Sequence, residues 1–317
     1  MTPRRVLIDT DPGVDDALAL LLAFASPELH VEAITTVAGN VGLEPATRNA
    51  LLTLDVARVQ NPPTVVRGAY KPLEREAVDA AHVHGEDGLG GMASAYGEPS
   101  RGAAPGAAVD CILETIARHP GEVTVIALGP LTNLAQALLA DPKAMALAER
   151  IVVMGGALDV PGNAGPHAEF NFFVDPEAAR IVLRSGLPVT LVGLDVTRLA
   201  VLNQQELVER VRASDKPAAP FAEQITRHYF EVRHRLVGRA ECFLHDPLAV
   251  AVALDPSFVR CEPYFLDVET RGSLTTGMVV ADRRDGAPRP AQGEGVEVAV
   301  GLERERFLDF FLERLVG

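Results

Sequence analysis

The chain has 317 residues, 48% of them hydrophobic, 23% charged, and a formal charge of −14. That apolar content supports a large core and excludes a wholly disordered chain. The acidic balance, with no Trp and no basic stripe, excludes nucleic-acid backbone and anionic membrane as expected partners.

Arg4 and Arg5 precede an apolar run that Asp9 breaks at once, so no signal peptide is read. No run is long and uncharged enough to span a bilayer, and the expected location is the cytoplasm. "RVLID" reads as a strand and "DDALALLLAFA" as a helix; "VEAITTVA" and "EPATRNALLTLDVAR" repeat the pair, and "TVVRG" is a third strand. Further on come "EVTVIAL" then "LTNLAQALLA", "RIVVMG" then "DPEAARIVLRS", and "PVTLVG". Near-continuous Val, Ile and Leu strands between helices predict an α/β fold, an open mainly parallel sheet with helices on both faces. Two stretches break the rhythm. "YKPLEREAVDAAHVHGEDGLGGMASAYGEPSRGAAPG" reads as a long functional loop. "SDKPAAPFAEQITRHYFEVRHRLVGRAECFLHDPLAVAVAL" reads as a helix, then a second one opened by "HDP" with Pro247 in its first turn. From about Val259 strands lead to a closing helix, "ERERFLDFFLERLVG". No linker divides the chain, so residues 1–317 are read as a single domain.

Cys111, Cys242 and Cys261 stand far apart. They predict reduced, mostly buried thiols; the competing reading is Cys242 as a nucleophile near His245. The strongest local signal is "DTDPGVDDA", with Asp9, Asp11, Asp15 and Asp16 within eight positions. Carboxylates at a helix start gain from its dipole and cap free N–H groups, which accounts for one or two of them. A hard divalent cation with oxygen ligands accounts for the rest. An EF-hand fails on spacing, since Gly13, Val14 and Leu20 stand where its fifth, sixth and twelfth residues belong. P-loop and dinucleotide glycine patterns are absent. An Asp-x-Asp phosphatase is an alternative.

"DTDPGVDDA" resembles the signature of the inosine–uridine-preferring nucleoside hydrolases. "ITTVAGNVGLEPATRNA", "HVHGEDGLGG", "ALGPLTNLAQAL", "VVMGGA", "AEFNFFVDPEAA", "VTLVGLDVT" and "LHDPLAVA" resemble further blocks of that family, in the same order. The resemblance implies a Rossmann-like nucleoside hydrolase fold, bound Ca²⁺ and cleavage of the N-glycosidic bond of ribonucleosides to ribose and free base. It implies Ca²⁺ ligands at Asp11, Asp16, Asp246 and the Leu128 carbonyl, with Asp11 also the general base for a Ca²⁺-bound water. Asp15 would take the ribose hydroxyls, and Asn40, Glu169 and Asn171 the other sugar oxygens, with Met154 lining the sugar pocket. His84 and Tyr229 would lie at the base, and His245 would be the leaving-group acid because imidazole titrates near neutral pH. Asp9 would support the loop.

Glu169 and Asn171 alternate along "AEFNF", which reads as an extended segment pointing both inward between Phe170 and Phe172. His228, His234 and the arginines around Tyr229 read as a helix face. Members of the family that act on purines often carry several aromatics before "HDP"; here Arg233 and Gly238 stand in that segment, and "ADRRDGAPRPAQGEG" adds none. Neither purine nor pyrimidine preference is assigned. The family implies a homodimer or homotetramer and a place in base salvage. A non-catalytic nucleoside- or ribose-binding protein is the other alternative, disfavoured by the presence of both Asp11 and His245.

Overall fold

Strand β1 (Arg4–Thr10) is buried on both sides from Val6 to Thr10. Val6 and Ile8 enter one apolar cluster and Leu7 enters the other, as the two-residue period of a strand requires. The structure, a computed structural model, describes residues 2–284 and 295–317. Most of "ADRRDGAPRPAQGEG" lies outside the described residues.

Around β1 the sheet is built from β2 (Leu29–Thr36), β3 (Thr64–Arg67), β4 (Val123–Ala127), β5 (Arg150–Met154) and β6 (Val189–Val192). Its order is β3-β2-β1-β4-β5-β6, then Val296–Leu302, then Val259–Tyr264. All neighbours pair in parallel except that last edge strand, which is antiparallel. The expected α/β fold is therefore what the chain adopts. One cluster holds helices α1 (Val14–Phe24), Ala219–Val237, His245–Leu254 and Arg304–Val316; the other holds Ala108–Arg118, Thr132–Ala140 and Pro176–Leu183. Helix α1 is buried from Val14 to Ala23, and the helix His245–Leu254 packs against it. A helix apolar on all sides belongs inside, which explains the run "ALALLLAFA".

The chain leaves β1 toward β2 and β3, then returns to place β4 on β1's other side. Loops after β1 and β4 diverge at that switch point, and ligands in open α/β sheets bind there.

Two local readings need correcting. "AEFNF" is not extended: residues Phe170–Val174 form a short helix capped by Glu169, whose carboxylate accepts from the N–H groups of Asn171 (3.0 Å) and Phe172 (3.3 Å). The carboxylate folds back over the first turn, so Glu169 and Asn171 are both buried without strand alternation. The segment before "HDP" also contains a short antiparallel ladder, Val201–Asn203 with Glu241–Phe243.

Asp175, fully buried, ties this region together. Its Oδ1 caps the following helix at Ala178 N–H (3.0 Å), and its Oδ2 accepts from Leu73 N–H (2.9 Å) and the Thr132 hydroxyl (2.7 Å). Asp175→Ala removes a cap and orphans buried donors, so it should cost ~2–4 kcal/mol in denaturant unfolding. A loss near zero would contradict this account.

Candidate active site

At the end of β1 the four aspartates separate by partner. Asp16 lies in the first turn of α1 and reaches back. Its Oδ1 accepts from the Thr10 hydroxyl (2.5 Å) and Asp11 N–H (3.2 Å); its Oδ2 accepts from Gly13 N–H (3.0 Å) and Asn40 Nδ2 (2.9 Å). Asp11 Oδ2 accepts from Asn40 N–H (2.6 Å), while its Oδ1 is buried with no protein donor. A buried polar atom without a partner is costly and calls for a ligand or ion. Asp9 is held away from this group by the Thr35 hydroxyl and by Asn133 Nδ2 (2.7 Å).

Asp15, Asp16 and Asp246 each bring a carboxylate oxygen within 4.8 Å of the others, all three buried. Among the described residues this is the group fit to hold a metal ion. It differs from the expected set in containing Asp15. Asp11 stands beside it: burial first, then the charge of Asp16, pushes the Asp11 carboxyl well above its ordinary value. Burial does the same to Asp15 and Asp246, helped by the neighbouring carboxylates. Such repulsion favours occupation by a cation.

Two glycines make room for Asp11. A Cβ on Gly39 would lie 2.0 Å from Asp11 Oδ2, and one on Gly129 2.5 Å from Oδ1. A methyl group at either position cannot coexist with the carboxylate where it stands.

Above the cluster opens a cavity of about 570 Å³. Asp15, Asn40, His84, Leu128, Met154, Glu169, Asn171, Tyr229, His245 and Asp246 line it; Asp11 and Asp16 are fully buried. The Leu128 carbonyl accepts from Asn171 Nδ2 (2.6 Å), which also reaches Met154 O (3.3 Å). Glu169 Oε2 accepts from Gly156 N–H (3.0 Å), and burial raises the Glu169 carboxyl to about 7. His84 accepts from Val14 N–H at Nδ1 (3.1 Å), its ring 6.2 Å from that of Tyr229. Tyr229 sits on the inward side of Ala219–Val237 and is buried.

His245 opens the helix His245–Leu254, and its Nδ1 meets the Thr197 hydroxyl at 2.7 Å. Asp246 lies in the first turn rather than at the cap, which is Leu244. Burial, then the charge of Arg198, lowers the His245 imidazole to about 3. Both causes disfavour the protonated ring, though His245 is only half-buried at the cavity wall. Cys242 is buried in the ladder, and burial pushes its thiol well up, so a nucleophilic Cys242 is not supported.

The cavity also has walls not assigned from sequence: Asn163, Arg198, Arg233 and Phe243. Arg233 stacks over Phe243 at 4.6 Å and bonds Glu241 at 2.6 Å. Arg198 follows "VTLVGLDVT", just beyond the carboxyl end of β6, and that position was the available signal.

An acidic cluster beneath a cavity at a switch point has counterparts in known proteins. The sequence profile described as inosine-uridine preferring nucleoside hydrolase matches residues 6–309. The chain belongs to this family. It is 41% identical to an inosine-uridine preferring nucleoside hydrolase of Leishmania major, over 99% of this chain and 98% of that one. It is equally 41% identical to a pyrimidine-specific ribonucleoside hydrolase of Shewanella sp. (strain MR-7), over 98% and 96%. Among solved structures, a plant nucleoside hydrolase superposes with a TM-score of 0.92 at 34% identity, covering 99% of both chains. As a nucleoside hydrolase the protein cleaves the N-glycosidic bond of ribonucleosides. The phosphatase and binding-only alternatives fall away. None of the helices among the described residues is long and apolar enough to cross a membrane.

Proposed function

We propose that this nucleoside hydrolase is Ca²⁺-dependent, works as one domain over residues 1–317, and uses Asp11 as its general base. The observation that carries this reading is the buried, unpartnered Asp11 Oδ1 beside the carboxylates of Asp15, Asp16 and Asp246. Those carboxylates, Asp11 and the Leu128 carbonyl are all hard oxygen donors, the set that suits Ca²⁺. A carbonyl oxygen has two lone pairs, so Leu128 has one to spare beyond its bond to Asn171. When bound, the ion supplies Lewis acidity toward a water and the vicinal hydroxyls of ribose.

The side chains do the rest. Asp15, Asn40, Glu169 and Asn171 hold the sugar oxygens, and Met154 packs on the ring. The C1′–N bond breaks with positive charge growing on the ribosyl ring, as in glycoside hydrolysis. Surrounding carboxylates stabilise that charge. Asp11 takes the proton of the attacking water, its Oδ1 being the buried oxygen without a protein donor. Tyr229 and His84 wall the base. In the tautomer in which Thr197 donates to His245 Nδ1, Nε2 carries the proton and offers the base a hydrogen bond.

A homodimer or homotetramer, a cytoplasmic location and a role in base salvage complete the proposal. The test is release of reducing sugar from inosine, uridine, cytidine and adenosine by the purified chain with Ca²⁺. Turnover of at least one is expected, and the ranking sets purine against pyrimidine preference. Silence on all four would remove the reading of this site.

A further inference from the structure

The leaving base departs with the electron pair of the C1′–N bond, and its developing negative charge needs a partner. Two guanidinium groups line the cavity. Arg233 is neutralised by Glu241 at 2.6 Å and packed on Phe243. Arg198 makes no ion pair with any described residue; its one bond is from Nη2 to the carbonyl of Gly162 (2.7 Å). That tether to a neutral carbonyl fixes the guanidinium without a contact ion pair. Arg198 also directly follows Thr197, whose hydroxyl holds His245 (2.7 Å), and in partly desolvated surroundings it feels the charges of both Arg233 and Asp195, the latter carboxylate already bonded to the N–H groups of Leu158 (2.9 Å) and Asp159 (2.8 Å). In the reading above, Asp15, Asn40, Glu169 and Asn171 hold the sugar, and of the remaining lining His84, Tyr229, Phe243, His245 and Arg198 are left for the base.

We propose that Arg198 is a catalytic residue of the leaving group: its guanidinium, which no carboxylate among the described residues contacts, stabilises the nucleobase as it departs with negative charge. The inference rests on the reading of the site given above. In the step, water oxygen bonds to C1′ and its proton goes to Asp11. The C1′–N electron pair goes to the base, whose charge spreads over ring nitrogen and exocyclic oxygen beside Arg198. The base then takes a proton from solvent, and Asp11 returns its own. A fixed charge aimed where charge develops is worth more in a partly dry site than in water.

The test compares two ribosides with different leaving groups. Inosine needs help to expel its base; 4-nitrophenyl β-D-ribofuranoside expels a stable anion unaided. Arg198→Gln should lower kcat/KM on inosine by ~10²-fold, and change the rate on the nitrophenyl riboside by less than about threefold. Arg198→Lys, which keeps the charge but not the fork, should recover part of the inosine rate. Equal losses on both ribosides would assign Arg198 a structural or sugar-binding role and overturn the proposal, as would an unchanged inosine rate. A gain of activity on inosine 5′-monophosphate over inosine in the unaltered chain, abolished by Arg198→Gln, would place the guanidinium at the sugar's 5′ end and also overturn it. If the unaltered chain cleaves uridine or cytidine but not inosine, that nucleoside takes the place of inosine in the comparison; if it cleaves none of the ribosides, the reading of the whole site fails rather than the assignment of Arg198 alone. Should Arg198→Gln not fold, Arg198→Lys carries the same two-riboside comparison.

Discussion

Replacing Asp11 with Asn should reduce kcat on any accepted nucleoside by ~10³-fold or more. A positioned base alone contributes ~10²–10⁴-fold, and Asn also withdraws one negative charge from the proposed ion site. The substitution suits the question because Asn has nearly the shape of Asp. Gly39 and Gly129 leave just the space a planar group of that size needs, so the fold should survive. Asn40 N–H keeps an acceptor if the amide oxygen takes the place of Oδ2. The amide nitrogen at the other position cannot accept a proton from water. At saturating Ca²⁺, where the weakened ion site stays filled, nucleoside hydrolysis and melting temperature should therefore part company, with a large loss in the first and a small change in the second. A residual rate within about tenfold of the unaltered chain would take the base role away from Asp11.

How much of this could be read from residues alone depends on the range of the interaction. Strands buried on both faces announce themselves as unbroken apolar runs, so β1, β4 and β5 were visible in the sequence. The acidic loop was visible for a similar reason: its crowded charge has few purely structural explanations. The helix Phe170–Val174 was not, because five residues are too few for periodicity to choose between 2.0 and 3.6. What decides it is the cap made by the Glu169 carboxylate, a matter of geometry. Gly39 and Gly129 carry no turn signal, since neither has a positive φ. Their need for glycine comes from Asp11, far away in sequence. Asn133 is similar: it looks like any polar residue of "LTNLAQALLA". In the fold it joins the ends of three strands, donating to Asp9 (2.7 Å) and Thr36 O (3.0 Å) while accepting from Ala69 N–H (2.8 Å). For His245 the residue type points to a neutral-pH acid, while its surroundings, desolvation and then the charge of Arg198, lower the imidazole.

Stripping the ion should lower melting temperature and activity together, and it should make stability depend on pH in a definite direction. An ion that binds only the folded chain adds ~2.7 kcal/mol at ~100-fold excess over its Kd. At ~2–4 °C per kcal/mol for a large domain, chelation should lower the melting temperature by ~5–10 °C. The metal-free protein then carries carboxyls with folded values above their unfolded ones: Asp9 and Glu169 at about 7, and Asp11, Asp15 and Asp246 well up. A raised folded value means that the folded state holds protons the unfolded state has lost. That stability is full below about 4 and drains away as pH rises through the folded values. His84 and His245 act in the opposite sense, since burial lowers them to about 4 and about 3. Their influence lies below the ordinary histidine value of about 6.5. Between pH 7 and 8 the carboxyls therefore act almost alone, and the chelated protein should melt lower at pH 8 than at pH 7. The proposed Ca²⁺ would keep the carboxylates ionised and partnered, so refilling should restore activity and flatten the slope. Mg²⁺, which demands tighter octahedral geometry, should restore less. Differential scanning calorimetry with and without chelator at the two pH values reads all of this. Full activity and an unmoved melting temperature after exhaustive chelation would leave the buried aspartates without the cation proposed for them.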